Sequence, residues 1–214
     1  LKAYKDIEVL FTEQLSSLKQ IVASENNLLT NLSKVDQLYS NFHDAGTGLF
    51  TSHRVSIEQK EKLVEKIDTL EEKADDTVML LLDLADHDLA DTELQRAIAL
   101  SEQLENQFNS IVSSAFEYRD ILDTSTAQLI QSELSRSLGE AKVSVDDIII
   151  ELNTHDIKDA SQEVSSAFSE IQNLLSNSTG ILSHKEKQLS ANQQASKMLK
   201  EEENIVKQVN IILD

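Results

Sequence analysis

Apolar residues recur every three or four positions along almost the whole chain. The first such run is long, and its members are Tyr4, Ile7, Phe11, Leu15, Leu18, Val22, Leu28, Leu32, Val35, Tyr39 and Phe42. This spacing places apolar side chains on one face of an α-helix. We therefore predict a first helix over residues 1–43. The polar residues 44–48 follow, and Gly46 and Gly48 among them favour a turn.

The same periodicity predicts five more helices, separated by short polar segments that carry capping residues. Their predicted ranges are 51–87, 91–122, 125–153, 156–176 and 181–214. The break before the last range is ambiguous, because the apolar pattern continues through Gly180. The last two helices either reverse there or form one continuous pass. An even number of antiparallel passes returns both chain ends to one side, whereas an odd number separates them.

Composition supports an all-α fold. The 214 residues include no proline and four glycines, and proline is the residue that a helix interior tolerates least. Aromatic residues make up 4%, so a predicted core is mostly aliphatic, as in helical bundles. We predict an up-and-down six-helix domain of long helices, arranged as two stacked four-helix bundles.

The charge balance excludes several classes of partner. Thirty-eight acidic and 19 basic residues give a net charge of −19. Such a field repels nucleic acids and anionic membrane surfaces, so we expect neither as a partner. The longest apolar runs are far shorter than the roughly 20 residues that span a bilayer, so any membrane attachment requires flanking segments outside this chain. The absence of cysteine excludes disulfides and thiol chemistry.

Two segments resemble each other at an offset of 68 residues, namely 80–91 and 148–159. Each covers a predicted helix end, a turn containing a His-Asp pair and the next helix start. Two related helical hairpins explain the match, and so does convergent turn chemistry, because Asp is a favoured residue at helix N-termini.

Catalytic and metal motifs are not found in the sequence. His87 and His155 are each followed by an aspartate, but this spacing is not that of a metal site, and no histidine has a glutamate three residues before it. No nucleophile motif or glycine-rich phosphate loop accompanies the many carboxylates. We expect no enzyme activity, no cofactor and no metal.

Polar residues interrupt the apolar pattern at two places. The first predicted helix carries Glu25 and Asn26 where the spacing calls for core residues, and the last carries Asn192 and Gln193. If the chain ends lie together, the two interruptions can line one ligand pocket. A polar layer that sets the register of the helices is the alternative.

Two arginines lie beside the apolar faces of their predicted helices. Arg119, which follows Tyr118, and Arg54 are the ones so placed. A guanidinium group inside a bundle is a natural partner for a small carboxylate, so we take Arg54, Tyr118 and Arg119 as candidate ligand-binding residues. In so acidic a chain, an internal ion pair is the alternative for each arginine.

Long helices without proline or cysteine, with the longest at the two ends, make the chain resemble the periplasmic sensor domain of a bacterial chemoreceptor or sensor histidine kinase, of the helical bimodular type. The resemblance implies the periplasmic domain of an inner-membrane protein whose first and last helices continue into membrane spans. It also implies a homodimer and a small ligand such as an organic acid, or a periplasmic binding protein, sensed through displacement of the last helix. The alternative is a structural or interaction bundle without ligand, such as an adhesin stalk or a secretion or phage spacer.

Overall fold

The structure, a computed structural model, describes residues 2–86 and 95–213, and these form helices without any strand. In chain order the helices are α1 (Lys2–Ile21), α2 (Asn26–Asp86), α3 (Gln95–Asp120), α4 (Thr124–Thr154), α5 (Lys158–Ser176) and α6 (Ile181–Leu213). The predicted all-α fold class is confirmed. The predicted ends of the four C-terminal helices agree closely with these bounds, apart from residues 91–94, which lie outside the described residues.

The prediction of one first helix over residues 1–43 is wrong. The chain turns at residues 22–25, where the backbone N–H of Glu25 donates to the carbonyl of Val22 at 2.8 Å. The helix resumes when the N–H of Leu29 donates to the carbonyl of Glu25 at 2.9 Å. Serine and asparagine favour helix ends because their side chains compete for backbone hydrogen bonds. The polar interruption of the apolar pattern is therefore the turn between α1 and α2.

The predicted turn at residues 44–48 is also wrong, because these residues lie inside α2. Both glycines of this segment face α6. A Cβ atom at Gly46 would lie 3.0 Å from Oε1 of Glu202, and one at Gly48 would lie 3.2 Å from Sδ of Met198. The glycines thus allow close approach of a neighbouring helix, a use that does not require the left-handed backbone of a turn.

A break separates α5 from α6, but the chain keeps its direction across it. Nζ of Lys73 lies 3.1 Å from Oε2 of Glu170 in α5, and Oε1 of Gln59 lies 2.8 Å from Nδ1 of His184 in α6. Both helices therefore run antiparallel to α2 along the same course. The six helices make five antiparallel passes, which is the odd-numbered alternative.

Gly180 accommodates the tight backbone at this break. A Cβ atom there would lie 2.8 Å from the carbonyl oxygen of Leu174 and 2.9 Å from that of Leu175. The side chain of Asn177 accepts a hydrogen bond from the N–H of Thr179 at 2.8 Å, which closes the turn locally. The last turn of α5 and the first turn of α6 are joined without space for a side chain at Gly180.

The chain divides into two compact units. The central unit is Val55–Ala191, and the terminal unit consists of Leu1–Arg54 and Asn192–Asp214. The central unit contains the C-terminal part of α2, all of α3, α4 and α5, and the start of α6. Its four antiparallel passes enclose one mostly aliphatic core, within which Phe108 and Phe168 stack with ring centroids 6.5 Å apart.

The terminal unit has three helical segments, so the predicted second four-helix bundle is not formed there. Helix α1 runs antiparallel to α2, as three contacts show: Glu8 with His43 at 3.2 Å, Phe11 with Tyr39 at 4.2 Å between ring centroids, and Lys19 with Asp36 at 2.5 Å. The glycine contacts show that α6 is antiparallel to α2 as well. Helices α1 and α6 are therefore parallel, whereas side-by-side chain ends require them to run in opposite directions. Leu1 and Asp214 themselves lie outside the described residues.

The turns that join α3, α4 and α5 are short and locally stabilised. Asp123 caps α4 by accepting a hydrogen bond from the N–H of Thr126 at 2.8 Å, which lowers the pKa of its carboxyl to about 2. Between α4 and α5, Asp156 adopts a positive φ of 60°. The corresponding turn of the sequence repeat, with His87, lies outside the described residues, so the hairpin repeat stays a prediction.

Candidate functional site

A layer of buried polar side chains crosses the central unit near the end of α3. Its members come from three helices and are Gln59, Tyr118, His184, Lys185 and Gln188. Buried polar groups are costly unless they are hydrogen-bonded, so each of them requires a partner inside the protein.

Lys185 lies at the centre of the layer and is fully buried. Its Nζ atom donates to the backbone carbonyl of Arg119 at 2.8 Å and to Oε1 of Gln188 at 2.9 Å. The same atom lies 5.9 Å from the centroid of the Tyr118 ring. None of the ion pairs between described residues involves Lys185. Since the last carbonyls of a helix lack intrahelical partners, the ammonium group of Lys185, on α6, caps the C-terminus of α3.

Burial changes the acidity of both ionisable groups in this contact. It lowers the pKa of Lys185 to about 8, an effect to which the nearby Lys60 adds and which Asp120 opposes. Burial also raises the pKa of Tyr118 to about 12, with a further contribution from the charge of Glu186. At neutral pH the lysine is therefore a cation and the phenol is neutral, which is the combination that favours attraction between the ammonium group and the ring.

His184 adds a second polar contact to the layer. Burial lowers its pKa, and the charges of Lys187 and Lys62 act in the same direction. A neutral imidazole carries one N–H, and Oε1 of Gln59 can only accept, so Nδ1 donates this hydrogen bond. The contact ties α6 to α2, just as Lys185 ties α6 to α3.

Of the predicted ligand-binding residues, Tyr118 belongs to this layer and Arg119 borders it. Only the backbone carbonyl of Arg119 reaches Lys185. Its guanidinium group binds the adjacent Asp120 through two hydrogen bonds of 3.2 and 2.9 Å and lies 5.4 Å from the centroid of the Phe116 ring. In the structure, the guanidinium group of Arg119 therefore forms an internal ion pair with Asp120 rather than an open site for a ligand carboxylate.

The other predicted residues belong to the terminal unit and do not form the expected pocket. Glu25 and Asn26 are exposed at the α1–α2 turn, and Arg54 is exposed on α2. Because Met198 lies beside Gly48, Asn192 and Gln193 lie near the level of Arg54 along α2. At 1.5 Å per residue, Glu25 and Asn192 are about 40 Å apart along α2. The prediction that the two polar interruptions line one pocket is wrong.

Sequence reasoning missed Lys185, His184 and Gln188. Residues 183–187 carry a histidine and two lysines just after a turn, a composition typical of an exposed segment. The available signal was the spacing, since Ile181, Lys185 and Gln188 occupy successive apolar positions of the helical pattern. A charged residue at a core position of that pattern indicates a buried charge.

Open grooves lie on the surface of the central unit. One, of about 480 Å³, runs between α3 and α4 and includes Gln107, whose buried Oε1 atom has no hydrogen-bond partner among the described residues. Arg136 in the same groove is bound to Glu140 at 2.7 Å. Within residues 2–86 and 95–213, no group of three potential metal ligands converges. Arg54 and Arg119, the arginines predicted to bind a carboxylate, do not line the groove between α3 and α4.

Comparison of the chain with protein-family models, curated proteins and solved structures gives no match. Across the part of the chain that the structure describes, no helix combines the length and the hydropathy needed to cross a bilayer. Any statement of function consequently depends on the geometry of the helices and of the buried polar layer.

Proposed function

We propose that this chain is a structural and interaction bundle that connects or spaces other parts of an assembly and binds no small ligand. The observation that supports this function is the parallel course of α1 and α6 in the terminal unit. The parallel course places the start of α1 and the end of α6 near opposite ends of the terminal unit, an arrangement that suits a spacer. A domain inserted between two membrane spans instead requires its first and last helices to run in opposite directions.

The buried polar layer is consistent with this proposal. Two of the three N–H groups of Lys185 donate to the carbonyl of Arg119 and to Oε1 of Gln188, and the guanidinium of Arg119 donates to Asp120. Each candidate cation at this layer thus has a partner inside the chain. Such contacts fix how α6 packs on α3, which is a structural use of a buried polar group.

Ligand sensing, as in the periplasmic domain of a chemoreceptor or sensor kinase, is the second candidate function. The observation that favours it is Lys185 itself, a buried cation between helices whose described partners are neutral. An anion that reached Nζ would gain a charge-assisted hydrogen bond and would displace α6 relative to α3. The parallel direction of α1 and α6 counts against this candidate, because a domain between two membrane spans requires these helices to run in opposite directions.

Thermal unfolding of the chain with a panel of organic acids, amino acids and inorganic anions separates the two functions. A ligand present at 100 times its Kd stabilises the native state by about 2.7 kcal/mol. We expect no compound of the panel to raise the Tm. An increase of several degrees with one compound, lost in Lys185→Met but kept in the exposed-lysine control Lys187→Met, would overturn the proposal in favour of sensing.

A further inference from the structure

Helix α1 leaves much of its apolar surface uncovered. Phe11 and Leu15 face α2, where Phe11 stacks on Tyr39 and Leu15 is buried. A second set of apolar side chains on α1 remains exposed, with exposed fractions of 66% for Ile7, 55% for Leu10, 47% for Leu18 and 76% for Ile21. Contiguous apolar surface of this kind on a water-soluble bundle marks an interaction site.

These exposed residues form a single stripe along α1, which we call the α1 stripe: Ile7, Leu10, Gln14, Leu18 and Ile21. Steps of three and four residues keep them on one side of the helix, as in the seam of a coiled coil. The α1 stripe is also symmetric about Gln14, since Leu10 and Leu18 are equally distant from it, and so are Ile7 and Ile21. A symmetric stripe is complementary to a copy of itself that runs in the opposite direction.

The charge distribution allows two terminal units to approach each other. The terminal unit has eight basic and ten acidic residues, a net charge of −2, whereas the central unit has 11 basic and 28 acidic residues, a net charge of −17. Like-charged surfaces repel at short range, so contact between two copies is least costly at the terminal unit. The unit with the uncovered apolar stripe is the nearly neutral one.

We propose that α1 pairs in antiparallel orientation with α1 of a second copy of this chain. Ile7 of one copy then packs on Ile21 of the other, Leu10 on Leu18, and Gln14 on Gln14 about a twofold axis. A parallel pair would place the two copies of Asp6 at the same end of the contact. The antiparallel pair moves the two copies of Asp6 apart to opposite ends of the contact. This inference rests on the proposed interaction function and specifies its partner.

The size of the α1 stripe sets the strength of this contact. A 20-residue helix is about 30 Å long and about 10 Å wide, so its outer face offers about 300 Å² per copy. Stable interfaces bury about 800 Å² per partner, so a contact of this size is weak, and the monomer–dimer equilibrium is expected at high protein concentrations. Side chains of α2 next to α1 add area without changing the pairing of the α1 stripe.

Analytical ultracentrifugation of the full chain over a range of concentrations tests the association. We expect a monomer–dimer equilibrium that Leu10→Glu weakens at least tenfold. Val9→Glu is the matched control, because Val9 is 57% exposed on α1 outside the α1 stripe. Circular dichroism of both variants establishes that they remain folded. A wild-type chain that stays monomeric at all concentrations, or equal weakening by both substitutions, would overturn the inference.

Disulfide cross-linking tests the orientation, because the natural chain contains no cysteine. Under mild oxidation, a mixture of Ile7→Cys and Ile21→Cys chains should form a mixed dimer, and Ile7→Cys alone should not cross-link. Dimers of Ile7→Cys alone would indicate a parallel pair and contradict the antiparallel assignment. These outcomes concern association, whereas failure of the ligand-free function would appear as a Tm shift in the compound panel. The two failures are therefore distinguishable.

Discussion

The central and terminal units are built from the same kind of helix but complete their cores to different degrees. In the central unit, four antiparallel passes bury a continuous aliphatic core that includes Leu63, Ile67 and Leu104, all fully inaccessible. In the terminal unit, the buried apolar residues among those described are Leu15, Leu38, Ala45 and Ile205. Apolar residues of similar spacing thus form a closed core where four passes meet and an incomplete one where three meet.

The two units also differ in net charge. The unit with the more complete core is the more highly charged one. The unit with the complete core carries almost all of the net negative charge, and the unit with the incomplete core is close to neutral. Charge maintains solubility and opposes association, while exposed apolar surface promotes association. Under the proposed function, the central unit supplies stability and the terminal unit supplies the interaction surface.

The largest expected effect compares the same substitution in the two cores. Leu104→Ala removes a side chain that is fully buried in the central unit and should cost about 3–5 kcal/mol of unfolding free energy, because the cavity cannot collapse fully. Leu38→Ala in the terminal unit should cost less than about 2 kcal/mol, since fewer buried neighbours surround it. Urea unfolding followed by circular dichroism gives both values. Equal costs would contradict the difference in core completeness.

The next effect is the dependence of the unfolding free energy on pH that arises from the buried ammonium group of Lys185. Folded Lys185 releases its proton near pH 8, whereas an unfolded lysine keeps it to about pH 10.5. The unfolded state therefore binds more protons in this window, and stability should rise by about 2–3 kcal/mol between pH 8 and pH 10. Above pH 10, Tyr118 acts oppositely, because the unfolded phenol ionises near pH 10 and the folded one near pH 12.

Urea titrations at a series of pH values measure this slope. Lys185→Met should abolish the rise between pH 8 and pH 10, and Lys187→Met, which alters an exposed lysine of the same helix, should keep it. A wild-type stability that is flat or falls over this range would mean that Lys185 keeps its ordinary pKa and that the layer is hydrated.

The smallest effect tests the break between α5 and α6. Gly180→Ala should destabilise the central unit by about 1–3 kcal/mol, because the new methyl group meets the backbone carbonyls of Leu174 and Leu175. Gly139→Ala is the control within α4, where a Cβ atom meets nothing within 4 Å. Alanine should stabilise that site by about 0.5–1 kcal/mol through its higher helix propensity. Thermal unfolding measures both, and a neutral Gly180→Ala would contradict the tight junction.

The helical periodicity predicted the class of fold and most helix ends because apolar spacing reports which face of a segment is buried. It failed at two points where one type of residue has two uses. Glycine permits a turn, but Gly46 and Gly48 serve the close packing of α6 on α2. Polar residues 24–27 fit a buried layer or a turn equally well, and spacing within one segment cannot separate these uses. Contacts between segments distinguish a buried layer from a turn, and periodicity within one segment does not report such contacts.

The candidate site was predicted in part for a similar reason. Tyr118 and Arg119 were identified from their places beside the apolar pattern, and Tyr118 belongs to the polar layer while Arg119 borders it. The arginine that drew attention, however, is bound by its neighbour Asp120, and the cation that is buried is Lys185 on another helix. Whether a cation is paired depends on groups distant in sequence, which residue types alone do not specify.

The relative direction of α1 and α6 is the central claim, and one distance tests it directly. Spin labels at Gln20→Cys and Lys197→Cys fall on exposed positions of the two helices in the terminal unit. Lys19 lies beside Asp36 and Met198 beside Gly48, so with parallel helices the labelled positions are offset by about 18 Å along α2. Pulsed electron paramagnetic resonance should therefore give a separation above about 20 Å. A separation near the 8–10 Å of neighbouring helix axes would contradict this register of parallel helices and would reopen the receptor interpretation.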